Sequence, residues 1–280
     1  MPSVLVAGAS AGAVAIGATV AVERLGGRLG GLLGTLPTTI VPAAAGIWAA
    51  SSSIEAYESS MGAVPVGMWV NVLFLLAWRE APSRLPPSTL VVRLVLMVVL
   101  SLLVWALVAT GSVVLMGRLE DLGVPAMGLG FACAALSLSF GMWSTRAPRP
   151  APKGTRSVGL GTLLARGLLA ALAIAGAVTL ASVAGPLISG VASVFPAIFL
   201  TSMVSLWWSQ GEAVQGGAVG PMMLGSTSVS AYALFAASLL PALGVLVGSL
   251  VAWILSLLVI TVPAFGWLQW RIQRTGRRED

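Results

Sequence analysis

Gly30-Gly-Leu-Leu-Gly-Thr-Leu-Pro37-Thr-Thr-Ile-Val41 and Ser189-Gly-Val-Ala-Ser-Val-Phe-Pro196-Ala-Ile-Phe-Leu200 are two versions of one pattern. Each is a small-residue run with a proline inside an apolar segment, and each reaches a tryptophan eleven residues after the proline, at Trp48 and Trp207. The prolines stand 159 residues apart, and the same offset places Gly31 on Gly190, Gly26 on Gly185 and Trp48 on Trp207. A glutamate in a short polar break follows each copy, Glu55 in the first and Glu212 in the second. Gly62-Ala-Val-Pro65 and Gly217-Ala-Val-Gly-Pro221 come next. Gly, Ala and Val are abundant in this chain, so no single match is specific. The ordered series points to an internal duplication.

Composition identifies the medium in which that unit folds. The chain is 58% hydrophobic and 9% charged, against roughly 25% charged residues in soluble domains. That much apolar surface cannot be hidden from water by folding on itself. Long uncharged runs mean helices, because a barrel would show short alternating segments. The expected fold class is therefore an all-α polytopic membrane protein. The lone cysteine, Cys133, excludes an intramolecular disulfide, and the absence of histidine removes the commonest transition-metal ligand. The formal net charge of +6 is the arginine excess of a cytoplasmic membrane face, not a nucleic-acid signature.

Each crossing needs about 20 apolar residues. Nine segments qualify, at about 4–22, 30–50, 62–78, 90–116, 123–143, 160–183, 187–208, 218–239 and 243–265. The first is read as a retained helix, since no basic stretch precedes it. The second, seventh and eighth are rich in Gly, Pro and small polar residues and are expected to be broken or re-entrant. Gly117-Arg118-Leu-Glu120-Asp121 reads as a tight turn, and Thr145 to Arg156 as an extended linker.

With nine crossings, one side collects Arg24, Arg28, Arg79, Arg84, Arg146, Arg149, Lys153, Arg156, Arg271, Arg274, Arg277 and Arg278. The other holds Arg118. The positive-inside rule then places the N-terminus outside and the C-terminus inside. Five crossings separate the two copies of the unit, so the second runs upside down. The expected architecture is a 4+1+4 inverted repeat with Pro/Gly-interrupted helices. It comprises a first repeat at 1–116, a connector span and basic linker at 117–157, a second repeat at 158–265 and a charged tail at 266–280. This is similar in kind to inverted-repeat secondary transporters, including the small drug/metabolite carriers, although the chain has one span fewer than those. Such transporters bind their solute near the midplane, at the repeat interface.

Proline in a helix removes one backbone bond and obstructs the carbonyl four residues back. Pro37 and Pro196 thus expose carbonyls beside the hydroxyls of Thr35, Thr38, Thr39 and Ser193. The competing account is a simple kink with hydroxyls bonded to their own backbone. Asn71 and Thr227 correspond when Pro65 is set on Pro221, and each is polar within an apolar span. Each serves equally well as a solute contact or an interhelical hydrogen bond. Glu55 and Glu212 are the acids matched between copies, read either as gating or ion-coupling carboxylates or as solvated loop acids. Trp48, Trp207 and Trp208 are expected in the interfacial aromatic belt, and the Gly26 to Gly34 cluster in helix packing.

These ten residues, Thr35, Pro37, Thr38, Thr39, Glu55, Asn71, Ser193, Pro196, Glu212 and Thr227, form the expected solute or ion site. No triad, zinc set or phosphate-binding loop is present, so no catalytic residue, metal or cofactor is expected. The leading expectation is a small transporter or channel for a small neutral or cationic solute, in a bacterial inner membrane. Its partners would be the lipid bilayer, the solute and a second copy of the chain, with no nucleic acid. The alternative is a non-transporting scaffold or subunit of a membrane complex. An enzyme acting on lipid through Glu55, Glu58 and Glu212 ranks last.

Overall fold

The computed structural model describes residues 4–13, 16, 36–146, 159–210 and 215–276. Among these the chain is 88% helical without strands. In order, the helices are α1 (Val4–Ala13), α2 (Ile40–Ala50), α3 (Ile54–Glu80), α4 (Leu90–Asp121), α5 (Ala126–Ser144), α6 (Leu160–Val183), α7 (Pro186–Ala192), α8 (Ala197–Gln210), α9 (Gln215–Leu243), α10 (Val245–Ser256) and α11 (Val262–Gly276). A π turn at Leu257–Thr261 joins α10 to α11.

Six segments are long and apolar enough to cross a membrane: Ile54–Glu80, Leu90–Asp121, Ala126–Ser144, Pro186–Val204, Gly217–Leu243 and Val245–Arg271. Sequence periodicity predicts nine. The other three expected spans fall on the apolar helices Val4–Ala13, Ile40–Ala50 and Gly167–Leu180, each closely preceded by residues whose backbone or side chains lie outside the described set.

Local chemistry sets the helix ends. Ser53 caps α3, its hydroxyl accepting from the Ala56 N–H at 3.1 Å. The expected polar break at 51–60 is therefore mostly the first turns of α3, and it carries Tyr57 into the core. Thr89 caps α4 in the same way, accepting from the Val92 N–H. The turn expected at Gly117–Asp121 is instead the last turn of α4, because Gly and Arg continue a helix when nothing blocks them. The chain reverses at Gly123, whose φ of 83° suits a residue without Cβ.

Burial separates the core from the lipid face. Within their apolar windows α3 and α9 are 78% buried, whereas α4 is 17% and α5 22% buried. α3 and α9 are apolar around their whole circumference and pair at the centre, with α5 against both. Close approach depends on missing side chains. A Cβ on Gly130 would meet the Gly62 carbonyl, and one on Gly141 would lie 2.7 Å from the Leu224 Cα. α1 packs on α6 through Gly8 and Gly12 against Gly167 and Ala171, the small-residue spacing that lets membrane helices touch.

These contacts also fix running directions. Ala126 meets Gly62 at the start of α3, and the Ser144 carbonyl accepts from Arg79 at its end. α3 and α5 are therefore parallel. Gly220 abuts Ser144 and Gly141 abuts Leu224, so α9 runs the opposite way. α2 ends with Trp48 on Tyr57, at the start of α3, while α8 runs to Trp207 on Trp78, at the other end. The Trp267 indole of α11 donates to Thr145, which brings α10–α11 to the Trp78 end. That end carries Arg79, Arg84, Arg93, Arg146, Arg271 and Arg274. The Tyr57 end carries Glu55, Glu58, Glu120 and Asp121 with Arg118.

Candidate functional site

Both motif prolines sit at the centre of the same three-residue turn. The Thr38 N–H donates across Pro37 to the Leu36 carbonyl at 2.7 Å, and the Ala197 N–H donates across Pro196 to the Phe195 carbonyl at 2.7 Å. The ring holds φ near the value such a turn requires. α8 starts directly after Pro196 and α2 three residues after Pro37. Upstream of Pro196 the chain is helical in α7, so residues 193–196 are a break inside one crossing.

The break releases backbone groups, and other groups take them up. The Ala192 carbonyl, four residues before Pro196, accepts from the Phe195 N–H at 3.1 Å. The Val194 carbonyl accepts from the Asn71 side-chain amide of α3 at 2.7 Å. The Asn71 carbonyl oxygen in turn accepts from the Trp105 indole of α4 at 2.8 Å, and the Trp105 ring stands edge-on to Phe195 at 5.2 Å. One buried amide thus ties three segments together at the break.

The two proline turns face one cavity of about 60 Å³. Leu36, Thr39 and Ile40 line it from the first copy and Ser193 to Phe199 from the second. Met68 and Asn71 of α3, Val229 of α9 and Ala170, Ala173 and Ile174 of α6 complete the wall. The volume has room for a few waters, at about 10–15 Å³ of such space each. Polar side chains reach it from Thr39, Asn71 and Ser193 alone among the described residues, and none of the lining residues is charged. Ser193 donates to the Gly190 carbonyl at 2.7 Å, which leaves its lone pairs free to accept.

Of the residues singled out from sequence, Thr39, Asn71, Ser193 and Pro196 therefore share this cavity. Pro37 is buried beside it and Thr38 is half-buried, bonded back to Leu36. Thr227 is 2% exposed on α9 with its hydroxyl unpartnered, but it is not part of the wall. Glu55 is exposed in the first turn of α3. Sixteen residues of helix separate it from Asn71, about 24 Å, so it belongs to the helix end and not to the cavity. Thr35, Glu212 and the Gly26 to Gly34 cluster lie outside the described residues, as does most of the expected linker. Trp207 is fully buried against Trp78, inside the bundle and not in an aromatic belt, while Trp48 is half-buried and packs on Tyr57. Trp208 is in α8, but its side chain lies outside the described set.

Sequence reasoning missed Trp105, Met68, Phe195 and Phe199. Trp105 left a signal: a lone tryptophan in the middle of a long Leu/Val run, far from either interface, needs an indole partner inside the bundle.

No protein-family model, curated protein or solved structure matches the chain.

Proposed function

We propose that the chain is a small membrane transporter built from two inverted copies of one unit, carrying a small, uncharged polar solute through the cavity between its proline breaks. The observation that carries this reading is the meeting of two identical proline turns on one cavity, with Asn71 of the first half holding the Val194 carbonyl of the second. Interrupted helices at corresponding positions of two repeats are where membrane carriers bind solutes.

The running directions support the inversion. α2 and α8 run oppositely, as do α3 and α9, and as do α4 and α10–α11. The packing supports it as well: α2 lies against α9 and α10 of the other half, and α8 against α4 of the other half. In this reading the three shorter apolar helices cross with the six long ones, nine in all. The arginine-rich Trp78 end is cytoplasmic, which puts the C-terminus inside.

The lining chemistry narrows the solute. A bare cation needs several oxygen ligands, and the Asn71 oxygen is already engaged by Trp105. An anion would find no arginine or lysine in the wall. A solute with one or two hydrogen-bonding groups and an apolar body fits Thr39, Ser193 and the surrounding Leu, Ile, Met and Phe side chains. The cavity is smaller than such a solute, so binding requires the breaks to open.

The test is uptake of a panel of radiolabelled small alcohols, amides and cations into liposomes holding the purified protein. Uptake of an uncharged member, lost in Pro196→Ala and Ser193→Val, supports the reading. Uptake confined to cations, or uptake indifferent to both substitutions, refutes it.

A further inference from the structure

Buried polar side chains are hydrogen-bonded in nine cases of ten or more, and tyrosine hydroxyls and indole N–H groups nearly always find partners. The core around α3, α5 and α9 departs from this. Tyr57, Ser137, Thr227 and Ser230 have hydroxyls with no partner among the described residues, and the indole N–H groups of Trp78 and Trp207 have none either; the Tyr232 hydroxyl, which makes no well-formed hydrogen bond, has the Ser249 hydroxyl of α10 as its neighbour. The six unpartnered residues and Tyr232 are at most 2% exposed.

Their register places them along one axis. Tyr57 and Trp78 are 21 residues apart on α3, about 31 Å, which matches the hydrocarbon thickness of a bilayer. Tyr57 and Tyr232 belong to one buried core cluster, and Trp78 lies 6.0 Å from Trp207 at the other end. Between them, Gly141 of α5 touches Leu224 of α9. One turn back along α5 is Ser137 and one turn on along α9 is Thr227, so the two unpartnered hydroxyls lie on facing turns. Ser230 follows Thr227 by one further turn.

We propose that these groups line a polar path across the membrane for water and small uncharged solutes. Trp48 on Tyr57 closes it at one end, and Trp207 on Trp78 closes it at the other. In hydrocarbon each such group is costly unless a mobile partner satisfies it. Six of them strung across one bilayer thickness point to partners that move through. None of the six is charged, which suits uncharged cargo. The aromatic plugs match across the halves, since Trp48 and Trp207 are the motif tryptophans. The proposal rests on the transporter reading for the identity of its cargo, and its test reads water access to the core separately from solute uptake.

The test uses the full chain in proteoliposomes, with Cys133→Ser as background and Ser137→Cys, Thr227→Cys and Ser230→Cys made singly. A charged methanethiosulfonate reagent is the probe. Thiols react as thiolates, which form only where water reaches, so labelling at least about tenfold faster than that of native Cys133 is expected at two or more positions. Trp207→Ala should speed labelling from the Trp78 face only. Stopped-flow shrinkage should show glycerol and water permeation, reduced in Tyr232→Phe and Thr227→Val. Folding is checked by thermal unfolding of each variant, and three separate positions keep one misfolded protein from deciding the result. A dry core gives the reverse pattern: no labelling at any position, and Tyr232→Phe and Thr227→Val more stable than the parent. That result overturns the path even if solute uptake is found. Labelling with water permeation but without saturable uptake of any solute leaves the path standing and removes the carrier, whereas labelling with no permeation of water or glycerol overturns the path.

Discussion

Removing the Asn71 amide should loosen the whole centre of the molecule, because that side chain links the 193–196 break to both α3 and α4 through hydrogen bonds. Asn71 is 1% exposed. Asn71→Leu keeps the volume and deletes two bonds, at 2.7 and 2.8 Å. It leaves the Val194 carbonyl and the Trp105 N–H buried without partners. In soluble cores each orphan costs about 1–3 kcal/mol. In membranes, measured side-chain hydrogen bonds average about 0.6 kcal/mol and reach about 1.7. The membrane scale governs here, so two bonds amount to about 2 kcal/mol, or about thirtyfold in the folded-to-unfolded ratio.

The assay is reversible unfolding in mixed micelles, run as a double-mutant cycle of Asn71→Ala and Trp105→Phe. Both singles destabilise, and the coupling is about 0.6–1.7 kcal/mol. Asn71→Asp should fall between, because a neutral carboxyl can still accept from Trp105 and donate its single O–H to Val194, but only after taking up a proton, at a free-energy cost, at a site that is 1% exposed. If Asn71→Leu shifts stability by less than about 0.3 kcal/mol, below the usual resolution of additivity, the amide does not hold the break and the account of the cavity fails with it.

Other outcomes follow from the same contacts. A Cβ on Gly67 would lie 2.5 Å from Val194 Cγ2 and 3.1 Å from the Val191 Cα. Gly67→Ala should therefore cost about 1–3 kcal/mol by overpacking. Gly111→Ala, with nothing within 4 Å, should be neutral or gain up to about 1 kcal/mol of helix propensity. Equal effects in thermal unfolding would contradict this packing. Single cysteines at Ser53 and Ser83, both exposed and flanking α3, should label from opposite faces of intact cells, Ser53 from outside. Labelling from one face would overturn the crossing of α3. Uptake should be flat between about pH 6 and 8, because the sequence has no histidine and no carboxylate among the described residues lines the cavity. A bell-shaped profile would bring an acid such as Glu55 back into the mechanism.

The membrane class, the helical content and the pairing of Pro37 with Pro196 were all legible in the residue string. Each is a local or compositional property: apolar runs of fixed length, and a ring that cannot donate or bend. Even the juxtaposition of Thr39, Asn71, Ser193 and Pro196 could be anticipated, since polar groups in hydrocarbon must turn inward and the two breaks occupy matching places. Other features could not be read that way. The string does not say that Tyr57 belongs to a helix while Glu55, two residues before it, stays in solvent. Nor does it show that Trp207 stacks on Trp78 and not at the interface, or that Gly117 continues α4.

Those outcomes depend on which faces meet, and a bundle chooses its faces through close approach at Gly62, Gly67, Gly130 and Gly141, pairwise contacts invisible to any single segment. The chain itself carried the solvent, the secondary structure and the positions of its breaks, because these follow from each segment's own hydrophobicity and covalent geometry. Only packing could say that Asn71 answers Val194, 123 residues away, because the energy of that bond exists only once α3 and the 193–196 break have been brought together.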